Sequence, residues 1–175
     1  MNQPAEPGID SPDARFADRV LAWYERHGRH ELPWQCPATP YRVWISEIML
    51  QQTRVETVRG YFERFMARFP DVATLAAADA DEVLGLWSGL GYYARARNLH
   101  RAAKRMVDEY GGEVPDDLDA LVALPGIGRS TAGAIQSLGR GRAHAILDGN
   151  VKRVLARHAG IEGWPGRTPV QRELW

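Results

Sequence analysis

An all-α fold is predicted for this chain of 175 residues by three observations. No segment alternates apolar and polar residues convincingly at period two. Apolar residues recur instead at helical spacing, as in Val55, Val58, Tyr61, Phe62, Phe65, Met66 and Phe69. Pro, Asp and Gly stand at the places where such runs start and stop.

Residues 1–10 are polar, contain two prolines and are expected to be disordered. Ser11-Pro12-Asp13 reads as a helix start: a cap, a proline in the first turn and an acid near the positive dipole end. Phe16, Val20, Leu21 and Tyr24 carry that helix to Gly28, and a loop containing Leu32-Pro33-Trp34 runs from there to Pro40. Helices follow over 41–52 and 54–69. Asp71 and Asp79 cap two short helices ending near Ala77 and Trp87. Gly89-Leu90-Gly91 is a turn, and a long basic helix over 92–110 stops at Gly111-Gly112. Residues 116–123 and 129–138 form a helix pair across a glycine turn, and a further helix covers 150–159.

Pro169 to Trp175 looks like another helix beginning, and the chain is expected to be a fragment. Three parts are expected: an N-terminal helix over 11–28, a six-helix domain over 29–140 with a helical hairpin at 117–138, and the start of a second helical domain over 141–175.

Charged residues make up 25% and apolar residues 45%, as in an ordinary globular protein. The net charge is zero, which speaks weakly against a nucleic-acid binder. Local charge speaks the other way. Between Gly126 and Gly160 stand Arg129, Arg140, Arg142, Lys152, Arg153 and Arg157 against Asp148 alone. From Gly91 to Arg105 stand Arg95, Arg97, Arg101, Lys104 and Arg105 with no acid. A neutral total can hide a basic face.

Cys36 is the single cysteine, so the chain can form neither an internal disulfide nor a multi-cysteine metal site. His27, His30, His100, His144 and His158 are not at metal-ligand spacings and read as surface or phosphate-proximal residues; no metal is expected. The N-terminus lacks a secretory pattern and no apolar run approaches the ~20 residues of a membrane span, so a soluble intracellular protein is expected, cytoplasmic and nucleoid-associated; a monomer is expected as well.

The most telling stretch is Leu124-Pro125-Gly126-Ile127-Gly128-Arg129-Ser130-Thr131. Two glycines flank an aliphatic residue just before a helix. Such a turn presents unpaired backbone N–H groups at a positive dipole end, a site for a phosphate oxygen. Gly126, Gly128, Arg129, Ser130 and, further on, Lys152 are the candidate phosphate-binding residues.

Two carboxylates could carry chemistry. Glu47 shares a helix side with Val43, Trp44, Leu50 and Gln51, where partial desolvation would raise its pKa and make it a proton donor at neutral pH. The same residue could be a rim acid turned to water. Asp148 precedes Gly149-Asn150 and a basic helix; it is either a plain N-cap or an ionised group facing a cationic centre, and the two roles are compatible. A neutral acid paired with an ionised carboxylate suits glycosidic bond cleavage through an oxocarbenium-like state. Trp34, Tyr92 and Tyr93 read first as core aromatics, with base stacking as the alternative.

With these motifs on the page, the chain resembles the adenine DNA glycosylases of the MutY type, in the helix-hairpin-helix base-excision superfamily. The resemblance runs from about Phe16 to Trp175. It rests on Leu32-Pro33-Trp34, Pro40-Tyr41 to Trp44, Ser46 to Thr53, Leu86 to Leu99, the glycine hairpin and Ile146 to Val154.

It implies that the target is double-stranded DNA with adenine mispaired opposite 8-oxoguanine or guanine. Glu47 would protonate the adenine ring, and Asp148 would stabilise or transiently bond the sugar cation. Gln52 and Tyr92 would insert into the duplex. Trp34, Gln35 (often arginine in relatives) and Leu50 would line the adenine pocket. Ser130 stands where strand-cutting relatives carry the lysine that forms a Schiff base, so glycosylase activity without efficient strand cleavage is implied.

Longer members continue with four cysteines binding a [4Fe-4S] cluster and a further domain; this sequence holds neither. Exposed apolar surface on the first helix and the Asp148 helix is therefore expected, with weak stability and low activity. A DNA-binding module without chemistry, and a thymine glycosylase on the same scaffold, remain the alternatives.

Overall fold

The computed structural model describes residues 12–175, and every regular element among them is a helix. The chain divides into two units, 1–32 and 33–175. Residues 1–10 and the expected cap Ser11 lie outside the described residues.

The first unit carries α1 (Pro12–His27). Its periodic apolar residues form a helix, yet Val20, Leu21, Trp23 and Tyr24 are exposed. The helix closes on itself: the Gly28 N–H donates to the Tyr24 carbonyl at 2.7 Å, and the His30 ring packs edge-on against Tyr24.

The second unit is built on α2 (Pro40–Leu50), which packs against α3 (Val55–Arg68), α6 (Ala94–Tyr110) and α8 (Arg129–Arg140). Thr39 starts α2 by accepting from the Arg42 N–H, with Pro40 in the first turn, where its missing N–H costs nothing. Trp44, Ile45 and Met49 of α2 are fully buried, as are Phe62 and Phe65 of α3 and Trp87. Each such side chain contributes about 1.5–3 kcal/mol. Phe65 meets Phe69 and Trp87 edge-on, and the Tyr41 hydroxyl donates to the Phe69 carbonyl at 2.9 Å, so this aromatic layer is also hydrogen-bonded.

Around it, α4 (Val72–Ala77) and α5 (Ala80–Trp87) lie on α6, α7 (Leu118–Val122) pairs with α8, and α9 (Gly149–Ala159) pairs with α10 (Thr168–Leu174). Residues 29–140 thus carry seven helices, α2 to α8, of which α7 is five residues long.

Helix boundaries differ from the predicted ones where backbone conformation intervenes. The helix predicted to reach Gln52 stops at Leu50, and the one predicted from Tyr92 starts at Ala94. Gln52 (φ 57°) and Tyr92 (φ 50°) are left-handed, a conformation that cannot continue a right-handed helix. Asp71 and Asp117 cap α4 and α7 by accepting from Thr74 and Ala120 N–H groups, whereas Asp79 precedes α5 without such a bond.

The basic runs are also less uniform than the sequence suggests. Arg95 is buried, Arg105 pairs with Glu109, and Arg140 and Arg142 both pair with Asp116. His100, expected at the surface, is buried as well, on the same stripe of α6 as Leu99 and Ala103. Among the described residues no helix is long and apolar enough to cross a membrane.

Candidate active site

Helix α2 presents Glu47 half-buried between turns whose other residues fill the core. Burial pushes its carboxyl up to about 7, and the negative charge of Asp148 adds to the rise. A group normally ionised at neutral pH is thus held near half-protonation. Asp148, a hundred residues away in sequence, is thus near enough in the fold for its charge to act on Glu47.

Asp148 is exposed and caps α9, its Oδ1 accepting from the Asn150 N–H at 2.9 Å and the Val151 N–H at 2.7 Å. The cap reading of the sequence therefore holds. Its charge still reaches Glu47, so the second role is not displaced by the first.

The segment leading to Asp148 is fixed to α8 at two places. The Leu147 N–H donates to the Ser130 hydroxyl at 3.2 Å. One turn further along α8, a Cβ at Gly133 would collide with the Ala145 carbonyl oxygen; only glycine lets the strand-like run lie this close. Ser130 thus couples the hairpin helix to the residue before the catalytic candidate.

At the hairpin itself, Gly126 is left-handed (φ 80°), and an added Cβ would stand 2.9 Å from the Asn98 side chain, so glycine is required on two counts. Gly128 precedes α8 with no side chain capping the first turn, which leaves its N–H groups to an outside acceptor. Arg129 is exposed, with its guanidinium 4.0 Å above the Trp175 ring. Lys152, the remaining phosphate candidate, is held by the same C-terminal segment that Arg129 stacks on: its ammonium donates to Gln171 of α10 at 2.9 Å.

The aromatic expectations split. Trp34 is core, packed edge-on against Phe62; the adjacent Gln35 and, at the end of α2, Leu50 are half-buried. Tyr92, 60% exposed, and Tyr93 are not core at all. Gln52, the other proposed inserting residue, is exposed too. Two non-glycine residues in the left-handed region, both exposed, cost about 1–3 kcal/mol each, a feature that clusters at functional surfaces.

The residue that the sequence reading missed is Arg95, which it counted with the basic surface. The guanidinium is buried beneath both left-handed turns. Its spacing was the available signal, since Arg95 shares one helical stripe with Leu99, Ala102 and Met106.

A family model described as HhH-GPD superfamily base excision DNA repair protein matches residues 45–175. The chain belongs to this superfamily. Among curated HhH-GPD-type relatives, the adenine DNA glycosylase of Buchnera aphidicola subsp. Acyrthosiphon pisum is 49% identical over 160 residues, covering 91% of this chain and 46% of the relative. The human adenine DNA glycosylase is 44% identical over 169 residues, covering 91% and 31%. The chain therefore spans less than half the length of these relatives.

Among solved structures, a thermostable thymine-DNA glycosylase superposes with a TM-score of 0.76 at 27% identity, covering 81% of this chain and 65% of that one. A non-covalent endonuclease III–DNA complex gives the same score at 24% identity over 93% and 74%, a likeness of fold.

Cys36 is exposed in the loop before α2, and no group of three His, Cys, Asp or Glu among the described residues could hold a metal ion. The residues present do not fit the iron–sulfur cluster that longer members carry.

Proposed function

We propose that this chain carries the catalytic machinery of a monofunctional DNA glycosylase that releases adenine mispaired with 8-oxoguanine or guanine. One observation carries the reading: a carboxyl held near neutrality by burial lies within electrostatic reach of a second carboxylate bound by helix-start N–H groups. The relatives named adenine DNA glycosylase supply the substrate class.

In this reading the hairpin amides at Gly126, Gly128, Arg129 and Ser130 hold a backbone phosphate, while Gln52 and Tyr92 enter the duplex. Extruding the base costs a few kcal/mol, less at a mispair. Trp34, Gln35 and Leu50 border the adenine.

Glu47 then gives its proton to a ring nitrogen of adenine. The electron pair of the C1′–N9 bond leaves with the base, and the positive charge left on the sugar is opposed by the Asp148 carboxylate, which stabilises or transiently bonds C1′. Water adds at C1′ and gives up a proton. Ser130 offers no amine for a Schiff base, so the strand stays intact.

Single-turnover release of adenine from an 8-oxoguanine:adenine duplex tests the reading. Glu47→Gln and Asp148→Asn should each lower the rate by about 10²-fold or more. Slow release that ignores both substitutions would favour a DNA-binding module without chemistry, and release of thymine from a mismatch instead would change the substrate.

A further inference from the structure

Two short turns meet beside α2, and one buried side chain holds both. The first turn, after α2, contains the left-handed Gln52; the second, before α6, contains the left-handed Tyr92. The Arg95 guanidinium lies between them. Its Nη1 donates to the carbonyls of Ile48 at 3.0 Å, Met49 at 2.8 Å and Gln51 at 2.5 Å, which α2 leaves without helical partners at its C-terminus. Its Nη2 donates to the Thr53 hydroxyl at 3.1 Å and to the Leu90 and Gly91 carbonyls, both at 3.2 Å.

These acceptors bracket Gln52 on both sides and end immediately before Tyr92. The guanidinium carbon also lies 5.4 Å from the centroids of the Tyr92 and Trp87 rings, so the cation supports the exposed tyrosine from beneath. Five of these six acceptors are backbone carbonyl oxygens, so the cation serves chiefly to hold main chain.

A left-handed side chain at the surface relaxes unless its surroundings over-determine it. Here two of them share one planar group with fixed donor directions. Lysine offers a single point charge and cannot reproduce that fork.

We infer that Arg95 is a positioning residue for base extrusion, holding Gln52 and Tyr92 together in the poses from which they enter the duplex. The inference rests on the glycosylase reading for the assignment of those two residues to the duplex, but its test does not depend on bond cleavage.

The test places 2-aminopurine at the target position, opposite 8-oxoguanine, and follows the fluorescence gain when saturating protein unstacks it. Wild type should give a clear gain and Arg95→Lys a gain about tenfold smaller. In a second duplex, with the probe facing an abasic site, opening is cheap and the two proteins should agree within about twofold.

Equal gains on the paired probe would overturn the inference. So would an equal loss on both duplexes, the mark of a general scaffold residue, or no gain with wild type. Should Arg95→Lys fail to fold by its thermal melt, Thr53→Val removes a single acceptor: a smaller loss confined to the paired probe supports the inference, and no loss overturns it. Wild type that unstacks the probe yet releases no adenine from the corresponding adenine duplex would sink the glycosylase reading while leaving the role of Arg95 intact.

Discussion

Glu47 and Asp148 bear the same functional group in opposite surroundings. Glu47 projects from the most deeply packed helix, is half-buried and is kept near half-protonation by desolvation. Asp148 stands exposed at the head of α9 and accepts two backbone N–H bonds. One environment favours the protonated form; the other leaves a solvent-facing carboxyl held by two amides. The proposed division of labour follows from where each helix lies, not from residue type.

The contrast can be broken first at Asp148, whose two roles separate by substitution. Asp148→Asn retains a capping oxygen and removes the charge; adenine release should fall by about 10²-fold or more while the melting temperature scarcely moves. Asp148→Ala should match that loss of rate and also cost about 1 kcal/mol of stability in denaturant titrations. If Asn kept most of the activity, capping would be the whole of its function.

At Glu47 the contrast is sharpened by pH. The useful form is the protonated one, so single-turnover release should fall as pH rises through about 7, approaching tenfold per unit beyond it. A flat profile between pH 6 and 9 would remove Glu47 as the acid.

The smallest effect is on stability. Because folding raises the Glu47 pKa, the folded state binds more protons than the unfolded chain between the ordinary carboxyl range and about 7, and stability declines as pH rises through that window. Glu47→Gln should accordingly stabilise the protein by roughly 1–3 kcal/mol at pH 9, with little change at pH 4. Destabilisation at pH 9 would mean that the carboxylate has a favourable partner there.

Much of this architecture is legible in local sequence because helix ends are chemical. Asp71 and Asp148 cap where the sequence suggests, Asp79 does not, and α6 ends on left-handed Gly111. The raised Glu47 pKa was legible in part: the apolar neighbours one turn away signal desolvation, whereas the charge of Asp148 that adds to it is non-local. What escaped is what depends on non-local partners.

Tyr92 and Tyr93 have the composition of core residues, but a left-handed turn lifts them to the surface. Arg95 has the composition of surface, but three of its carbonyl partners lie more than forty residues away, and backbone groups carry no sequence signature. Lys152 sits in a basic run yet bonds to Gln171, a pairing set by the packing of α9 on α10.

The two attachments of residues 145–147 to α8 have a consequence of their own. Ser130 and Gly133 lie a single turn apart, so the reach from the hairpin to Asp148 is fixed by a rigid rod and not by the slack of a loop. Lengthening the chain by one residue between Gly141 and Ala145 would be absorbed as a bulge, because the downstream anchor would keep its register. The same insertion between Leu147 and Asp148 would shift the carboxylate from the position where its charge acts on Glu47. Tolerance to added length should therefore switch off abruptly along this short segment, as on a gauge with a fixed stop.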